Sequence, residues 1–351
     1  MLEPKPIAKA LGYQSIQVPV AVRLNTNESP YAPPESWQKR FTAEVTNLEL
    51  NRYPDRDCTS LRAKLADYHQ VNPENIWCAN GSNEVLLLLL SAYGGASRKA
   101  AFYEPSYLMH FYISKITDTQ VISLERNSSF KVSADQVLTE QEKNKFDILF
   151  LCSPNNPTGN TEDKDQVTAI CRRFNGLVII DEAYVEFSSF SFESLIHEFD
   201  NVAIIRTFSK TWAMAGLRLG YVIANKEIIN HLKAVTLPYN VSSVTQVGGL
   251  LALDYENEMK QRVNLIIQER QRVINTLKEL SSLYVWDSEA NFYLIKPTTI
   301  VASELHEKLL EHSVLVRDVS SYKNLENCLR VTVGTRAEND RFLDALNKIL
   351  K

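Results

Sequence analysis

The residue best suited to covalent chemistry is a lysine directly after an apolar, strand-like run. Lys210 ends the segment TFSK at residues 207–210. A lysine in such a turn can form a Schiff base with an aldehyde cofactor. Asp181 ends a second apolar run and opens the segment DEAY. A buried carboxylate at that place can keep a pyridinium nitrogen protonated, which makes the ring an electron sink.

Further polar residues follow other strand-like runs and have complementary chemistry. Asn156, in SPNNPTG, and Tyr184, in DEAY, can donate hydrogen bonds to the phenolate oxygen of a ring. The hydroxyl of Ser209 and the planar guanidinium of Arg218, in GLRLG, can bind a phosphate. Ligands bind at the carboxyl ends of the strands in open α/β sheets. These segments therefore predict one site for a phosphorylated aldehyde.

The elements that must position these residues alternate between strand and helix. Strands are predicted at 100–103, 120–124, 148–152, 178–181, 203–207 and 220–224, and helices at 36–47, 83–93, 162–174 and 226–235. Continuous apolar runs such as ILFL and LVII favour a mostly parallel sheet that helices cover on both faces. This alternation indicates the α/β class.

The pattern changes after about residue 240. Residues 242–280 form one long helical stretch with a predicted bend near Asp254. Strands near 284–287, 292–295, 314–317 and 329–333, with helices at 302–311 and 338–349, predict a smaller α+β domain. We expect an N-terminal segment, 1–30, that packs on the small domain, a large cofactor domain, 31–250, and a small C-terminal domain, 251–351.

Composition and missing motifs exclude several classes of protein. The 351 residues are 44% hydrophobic and 23% charged with a net charge of −4, which is typical of a globular protein and not of a nucleic-acid-binding surface. The longest apolar run, Val85–Leu90, is too short to span a membrane. Five scattered cysteines without a CxxC pair, and no apolar leader, predict a cytoplasmic protein without a metal site. GxGxxG, GxxxxGK, HExxH and GxSxG are absent.

Eight segments, taken in order, resemble the signature segments of pyridoxal-phosphate (PLP) aminotransferases of fold type I. They are RLNTNESPYAPP, NRYPD, NGSNE, PSY, SPNNPTG, DEAYVEF, RTFSKTWAMAGLRLGY and LRVTVGT. Together they are most similar to the histidinol-phosphate aminotransferase subfamily. The resemblance extends from about Arg23 to the C-terminus.

The resemblance implies an activity and a cofactor. It implies a ping-pong, PLP-dependent transamination of L-histidinol phosphate with 2-oxoglutarate, giving 3-(imidazol-4-yl)-2-oxopropyl phosphate and L-glutamate in histidine biosynthesis. Aromatic amino acid transamination and decarboxylation of threonine phosphate on the same scaffold stay open as alternatives. A PLP-binding regulator without catalysis is a third, although the sequence has no DNA-binding segment or basic patch.

The resemblance also assigns roles to the residues around the cofactor. It makes Lys210, Asp181 and Tyr184 the catalytic residues, with Asn156 and Tyr184 at the phenolic oxygen of PLP. Tyr107, in PSY, matches the aromatic residue stacked on the ring. The phosphate contacts match Ser82, Asn83, Thr207, Ser209 and Arg218. Asn83 stands where an aspartate is common.

The remaining assignments concern the substrate and a second subunit. Arg330, in LRVTVGT, matches the arginine that binds the anionic group of the substrate, with Arg317 as its helper and Asn156 beside it. Tyr53, in NRYPD, matches a tyrosine that reaches the cofactor phosphate of the neighbouring subunit, which implies a homodimer. The usual aromatic-Pro-Gly segment is replaced here by GYQSIQVPV, and Tyr13 is the candidate that closes over the imidazole.

Several of these residues also have ordinary structural explanations. Asp181 could cap a helix, and Asn156 could serve only the turn between two prolines. Tyr107 could be a core aromatic residue, and Tyr53 a turn aromatic residue. Arg330 lies in an alternating strand pattern, where it could face solvent.

Overall fold

The computed structural model of the chain describes residues 2–4, 6–9 and 17–350. Its helices are α1 Pro6–Lys9, α2 Glu35–Thr46, α3 Thr59–His69, α4 Ser82–Tyr93, α5 Leu108–Ile116, α6 Ala134–Asn144, α7 Lys164–Arg173, α8 Lys226–Val235, α9 Ser243–Ala252, α10 Glu256–Lys278, α11 Ala302–Glu311 and α12 Arg336–Ile349. Its strands are β1 Val22–Arg23, β2 Ile76–Ala79, β3 Lys99–Glu104, β4 Gln120–Glu125, β5 Ile148–Cys152, β6 Leu177–Asp181, β7 Val202–Thr207, β8 Gly220–Ala224, β9 Leu283–Val285, β10 Phe292–Pro297, β11 Val314–Leu315, β12 Arg317–Asp318 and β13 Leu329–Thr332. In the described ranges, no helix has the length and apolar character needed to cross a bilayer.

The main sheet is mixed but mostly parallel. Seven strands among the described residues follow the order β2-β8-β7-β6-β5-β3-β4. The neighbours from β7 to β4 pair in parallel, whereas β8 runs antiparallel to both β2 and β7. Every residue of β5, β6, β7 and β8 is buried, as expected for a sheet covered on both faces. The predicted α/β class is confirmed.

One edge of this sheet collects the strand ends that carry the predicted chemistry. The register places Cys152 beside Asp181, and Thr207 beside Gly220. Gly220 also lies opposite Ala79, the last residue of β2. Because β8 is antiparallel, its first residue lies at the edge where its neighbours end. The loops after β2, β5, β6 and β7 therefore meet at this edge.

Two glycines allow the N-terminus of α4 to approach that edge closely. Gly81 adopts a left-handed backbone with φ of 85°, which lets the chain turn directly from β2 into α4. A Cβ on Gly220 would lie 2.3 Å from the backbone nitrogen of Ser82. Glycine at position 220 thus brings the first N–H groups of α4 against the start of β8.

A second, antiparallel sheet forms the C-terminal part of the fold. Its strand order is β12-β13-β10-β9, and α11 and α12 pack against each other beside it. Strand β1 pairs in parallel with β11, which brings the N-terminal part of the chain onto this region. The predicted bend near Asp254 is confirmed, because a single 3-10 turn at Leu253–Tyr255 separates α9 from α10. The division into 1–30, 31–250 and 251–351 stays a prediction.

Two sequence-based boundaries are wrong, for local reasons. The predicted strand 314–317 is two strands: β11 pairs with β1, whereas β12 pairs with β13, so the chain changes sheet at Val316. The helix predicted from residue 162 begins at Lys164, because the Asp163 carboxylate caps its first turn. Glu162 instead forms a buried ion pair with Arg126. The elements β2, α3, α5 and α6 had no matching prediction.

Candidate active site

A cavity of about 480 Å³ lies at the sheet edge where the strand ends meet. Eleven predicted site residues line it, namely Ser82, Asn83, Tyr107, Asn156, Asp181, Tyr184, Thr207, Ser209, Lys210, Arg218 and Arg330. A second cavity, of about 640 Å³, lies where β5 and β6 begin, at the opposite edge of the sheet, and has no lysine in its lining. Across the described ranges, no group of three or more His, Cys, Asp or Glu side chains is arranged to hold a metal ion.

Lys210 reaches into this cavity from the loop after β7. Its Nζ donates a hydrogen bond to the carbonyl of Thr26 at 3.0 Å and lies 5.8 Å from the centre of the Tyr184 ring. Burial lowers the pKa of Lys210 to about 8, and the nearby Arg330 and Arg218 cations act in the same direction. The neutral, nucleophilic form of this amine is therefore more populated at neutral pH than that of a lysine exposed to water.

Asp181 is fixed at the cavity floor by a histidine that has no counterpart in the sequence predictions. One carboxylate oxygen accepts a hydrogen bond from the backbone of Ala183 at 3.1 Å. The other lies 3.2 Å from Nε2 of His110, a fully buried residue of α5. The His110 ring stacks on Phe150, with a centroid separation of 4.7 Å. Its Nδ1 makes no hydrogen bond within the described residues, so Nε2 is the ring atom that holds the carboxylate.

Tyr184, Asn156 and Arg330 form a connected group on the other side of the cavity. The Tyr184 hydroxyl accepts hydrogen bonds from the side-chain amides of Asn27, at 3.1 Å, and Asn156, at 3.4 Å. Arg330 donates to Oδ1 of Asn156 at 2.7 Å and to the backbone carbonyl of Asn25. Burial raises the pKa of Tyr184 well above its ordinary value, so the hydroxyl keeps its proton.

A cluster of hydroxyls and one arginine lies where α4 begins. The hydroxyls of Thr207 and Ser209 are 3.1 Å apart, and Arg218 donates to the Ser209 hydroxyl at 3.4 Å. Arg218 has a left-handed backbone with φ of 56°, and a Cβ on Gly81 would lie 2.4 Å from its guanidinium. This cluster and the N-terminal N–H groups of α4 make an anion-binding cradle.

The loop that carries Asn156 is supported by buried charge. Arg126 and Glu162 pair beneath it, and Arg126 also donates to Oδ1 of Asn155 at 3.1 Å. The Ser153 hydroxyl accepts from the backbone of Glu162 at 3.0 Å. Removing one partner of such a buried pair typically costs about 3–5 kcal/mol, so the pair keeps this loop in one conformation.

Three predicted residues are not part of this cavity lining. Tyr53 is 80% exposed and stacks on Tyr239, with ring centroids 4.4 Å apart. Arg317 lies directly opposite Arg330 in the β12–β13 pair, on the same face of that sheet. Tyr13 lies outside the described residues.

The structure also adds residues that motif reasoning missed. Asn27 is buried with a φ of 55°, and its side chain contacts Tyr184 while its backbone carbonyl accepts from Asn291 at 3.0 Å. It lies in the segment NTNES, whose turn-rich character indicates a loop but no particular role for this residue. His110 stands three positions after Tyr107, and a spacing of three residues places two side chains on the same side of a helix. That spacing was the sequence signal that could have linked His110 to the site. The further lining residues are Gln17, Thr26, Glu28, Cys152, Ala183 and Ala215.

Comparison with known proteins identifies the family. The model of the aminotransferase class I and II family matches residues 19–346. The chain belongs to this family. This aminotransferase is 42% identical over 342 residues to a Thermobifida fusca protein named histidinol-phosphate aminotransferase, covering 95% of this chain and 91% of the relative. A relative of the same name from Caldanaerobacter subterraneus subsp. tengcongensis is 36% identical over 338 residues, covering 96% and 95%.

The fold of this aminotransferase matches a solved structure with a bound cofactor. The structure is a histidinol-phosphate aminotransferase from Sinorhizobium meliloti in complex with pyridoxal-5'-phosphate. It superimposes with a TM-score of 0.90 at 21% identity, covering 100% of this chain and 98% of the other. At that identity the match supports the fold, whereas the activity depends on the chain's own residues.

Proposed function

We propose that the protein is a PLP-dependent histidinol-phosphate aminotransferase. It transfers the amino group of L-histidinol phosphate to 2-oxoglutarate and so acts in histidine biosynthesis. The observation that carries this proposal is the single cavity that joins Lys210, Asp181 and an anion cradle, in a chain that is 42% identical to a protein of that name. Five free, buried cysteines are compatible with a proposed cytoplasmic location.

The residues around the cavity fit PLP. The cradle of Ser82, Thr207, Ser209 and Arg218 offers backbone N–H, hydroxyl and guanidinium donors to a phosphate, and glycine at 81 leaves room for the Arg218 guanidinium. A side chain at position 81 would fill that space. Lys210 would hold the aldehyde carbon of the cofactor.

The opposite wall of the cavity fits the ring of the cofactor. Asp181 offers a buried carboxylate for the pyridine nitrogen, and Tyr107 an aromatic face for the ring. The amide of Asn156 and the protonated hydroxyl of Tyr184 offer donors to its phenolic oxygen.

Each catalytic residue then has one task. Bound PLP supplies an aldehyde that condenses with amines and a ring that withdraws electrons from the carbon being deprotonated. Lys210 would accept the proton from the α-carbon of the substrate on its neutral Nζ and would then, as the ammonium, return that proton as a general acid. Asp181 would hold a proton on the ring nitrogen through its carboxylate. Tyr184 would donate from its hydroxyl and so orient the ring.

Arg330 binds the anionic group of either substrate. Its guanidinium lies 5.4 Å from the centre of the Phe292 ring and donates to Asn156. The forked N–H groups of this guanidinium are therefore oriented before a substrate binds. A planar guanidinium accommodates a phosphate or a carboxylate through paired hydrogen bonds. This explains how one site can accept both histidinol phosphate and glutamate. Arg317, opposite Arg330, adds a second positive charge on that face.

We also propose that the enzyme is a homodimer with shared sites. Tyr53 does not line the cavity of its own chain, and both it and its aromatic neighbour Tyr239 are exposed. Leu50 and Leu237, also exposed, lie on the same two loops. A second copy of the chain would cover these apolar groups and would receive the Tyr53 hydroxyl at the phosphate of its cofactor.

A substrate panel tests the proposed specificity. With 2-oxoglutarate as acceptor, we expect kcat/KM for L-histidinol phosphate to exceed that for phenylalanine about 10- to 150-fold. A phosphate carries more charge and more acceptor oxygens than the carboxylate of phenylalanine, and one further charge-assisted hydrogen bond is worth about 1.5–3 kcal/mol. Threonine phosphate should release no carbon dioxide. Faster turnover of phenylalanine would favour the aromatic aminotransferase, and carbon dioxide release would favour the decarboxylase.

The role of Arg330 gives a second test. Arg330→Ala should raise KM for both L-histidinol phosphate and 2-oxoglutarate about 10- to 150-fold, because each loses hydrogen bonds between charged groups. Arg330→Lys should give an intermediate loss, since a lysine keeps the charge without the fork. Arg173→Ala, an exposed arginine of α7, is the control and should leave both KM values unchanged. An unchanged KM in Arg330→Ala would remove this residue from the substrate site.

A further inference from the structure

Two loops carry the stacked pair of exposed tyrosines. Residues 47–58, between α2 and α3, carry Tyr53, and residues 236–242, between α8 and α9, carry Tyr239. The two rings are 4.4 Å apart and inclined by only 14°, so they form one flat aromatic unit. An exposed aromatic pair held in this way needs loops that do not move relative to each other.

A buried glutamine ties these two loops together. Gln246, on α9, is 8% exposed, and its Nε2 donates to the carbonyl of Asp55 at 2.8 Å and to that of Val241 at 2.9 Å. One amide therefore uses both of its N–H groups to join the Tyr53 loop to the Tyr239 loop. Asp55 is itself fixed, because its carboxylate accepts from the backbone of Thr59 at 2.6 Å.

The same unit is attached to the anion cradle of its own chain. Asn240, next to Tyr239, donates to the carboxylate of Glu84 at 2.8 Å. Glu84 lies in the first turn of α4, two residues after Ser82, and also accepts from the backbone of Asn80. On the other side, Lys233 of α8 pairs with Asp57 in the Tyr53 loop. The exposed tyrosine pair is thus braced from α4, α8 and α9.

We propose that Gln246 is a positioning residue, which holds Tyr53 in place for the cofactor phosphate of the partner subunit. Gln246 does not line the cavity of its own chain, so it can act on a site only through the two loops that it joins. The Tyr53 loop leads to the site of the partner subunit, whereas Asn240 and Glu84 lead to the cradle of its own chain. The inference rests on the proposed PLP-dependent homodimer, and it predicts that a change at Gln246 weakens the site of the other subunit. A purely structural glutamine would weaken the site of its own subunit instead.

Hybrid dimers distinguish these two outcomes. In the first hybrid, one subunit carries Lys210→Ala and the other Gln246→Met. The only Lys210 then receives Tyr53 from a subunit with an intact Gln246, and its affinity for PLP should be that of the wild type.

In the second hybrid, one subunit carries both changes and the other is wild type. Its Lys210 receives Tyr53 from the altered subunit, and the dissociation constant for PLP should rise about tenfold, the effect of one lost hydrogen bond to an ionised group.

The readout is the fraction of Lys210 that carries a pyridoxyl group after borohydride reduction, measured by mass spectrometry over a range of PLP concentrations. No substrate is used, so a wrong substrate assignment would not affect it. Gln271→Met, on the exposed face of α10, is the matched control and should change neither hybrid. If Gln246→Met does not fold, Tyr239→Leu removes the aromatic stack at the surface and should give the same pattern.

Each other outcome overturns the inference. Weak binding in the first hybrid with normal binding in the second would show that Gln246 acts within its own chain. Equal affinity in both hybrids would show that it has no positioning role. Failure to form hybrids, with a monomer in analytical ultracentrifugation, would overturn the dimer and this inference together, whereas the substrate panel would still test the transamination.

Discussion

Replacement of Lys210 by alanine is expected to lower kcat for transamination at least about 10⁴-fold. Among the described residues, Lys210 is the one lysine in the lining, so that lining offers no second amine to replace it. The variant should still bind PLP loosely through the phosphate cradle. Steady-state kinetics with L-histidinol phosphate and 2-oxoglutarate provide the measurement.

The same prediction has a chemical readout and a control. Borohydride reduction of the wild-type holoenzyme should place a pyridoxyl group on Lys210, whereas the Lys210→Ala variant should show none. Lys226→Ala, an exposed lysine at the start of α8, should behave like the wild type in both assays. Full turnover in Lys210→Ala, or an adduct on another lysine, would refute the assignment.

The pH dependence of cofactor capture follows from the same amine. Only the neutral form of Lys210 can attack an aldehyde, and burial lowers its pKa to about 8. The rate at which the apoenzyme binds PLP covalently should therefore rise with pH up to about 8 and level off above it. A lysine exposed to water would continue to gain reactivity up to its ordinary pKa, near 10.4.

Much of the main sheet and its helices was predictable because the signals are local. Strands β5 and β8 and helix α8 begin and end where apolar runs meet turn residues, and the predicted bounds match the structure. The carboxyl ends of these strands carry the segments that line the cavity. Polar residues that directly follow buried strands therefore indicate much of the site by their position in the sequence.

The missed residues depend on contacts between distant parts of the chain. Thr26, Asn27 and Glu28 line the cavity only because β1 pairs with β11 and Asn27 contacts Thr332. Helix α3 has weak amphipathic character, because Arg62 and Lys64 interrupt its apolar pattern while they donate to the carbonyls of Ile76 and Leu250. The predicted strand 314–317 is two strands, because its first part pairs with β1 and its last residue pairs with β13. No local pattern encodes such long-range pairing.

Some of the predicted roles depend on one chain alone, and one depends on a second copy of the chain. Contacts within one chain bring Lys210, Asp181 and Arg330 together, so their roles can be tested in a single subunit. Tyr53 does not line the cavity of its own chain, and its proposed role needs a second copy of the chain. The register that sets Arg317 opposite Arg330 is a property of β12 and β13, and the sequence pattern merges β12 with β11 into one strand.

Asp181→Asn is expected to lower kcat about 10²- to 10⁴-fold. Asp181 is 2% exposed, so its charge would act on the ring nitrogen of bound PLP with little screening, and the loss of one partner from a buried ion pair costs about 3–5 kcal/mol. Asparagine has nearly the same size and keeps a hydrogen bond, so the effect would report the charge alone. The pH at which the visible spectrum of bound PLP changes should shift in the same variant.

A variant at His110 tests the same buried carboxylate through its hydrogen-bond partner. His110→Phe removes the 3.2 Å hydrogen bond to Asp181 and keeps a flat ring against Phe150, so we expect a smaller loss of kcat, about tenfold. Because His110 acts through the carboxylate, the double variant should lose no more activity than Asp181→Asn alone. His231→Phe, on the exposed side of α8, is the control. Additive losses in the double variant would mean that His110 stabilises α5 independently of Asp181, and an unchanged kcat in Asp181→Asn would remove the buried charge from the mechanism.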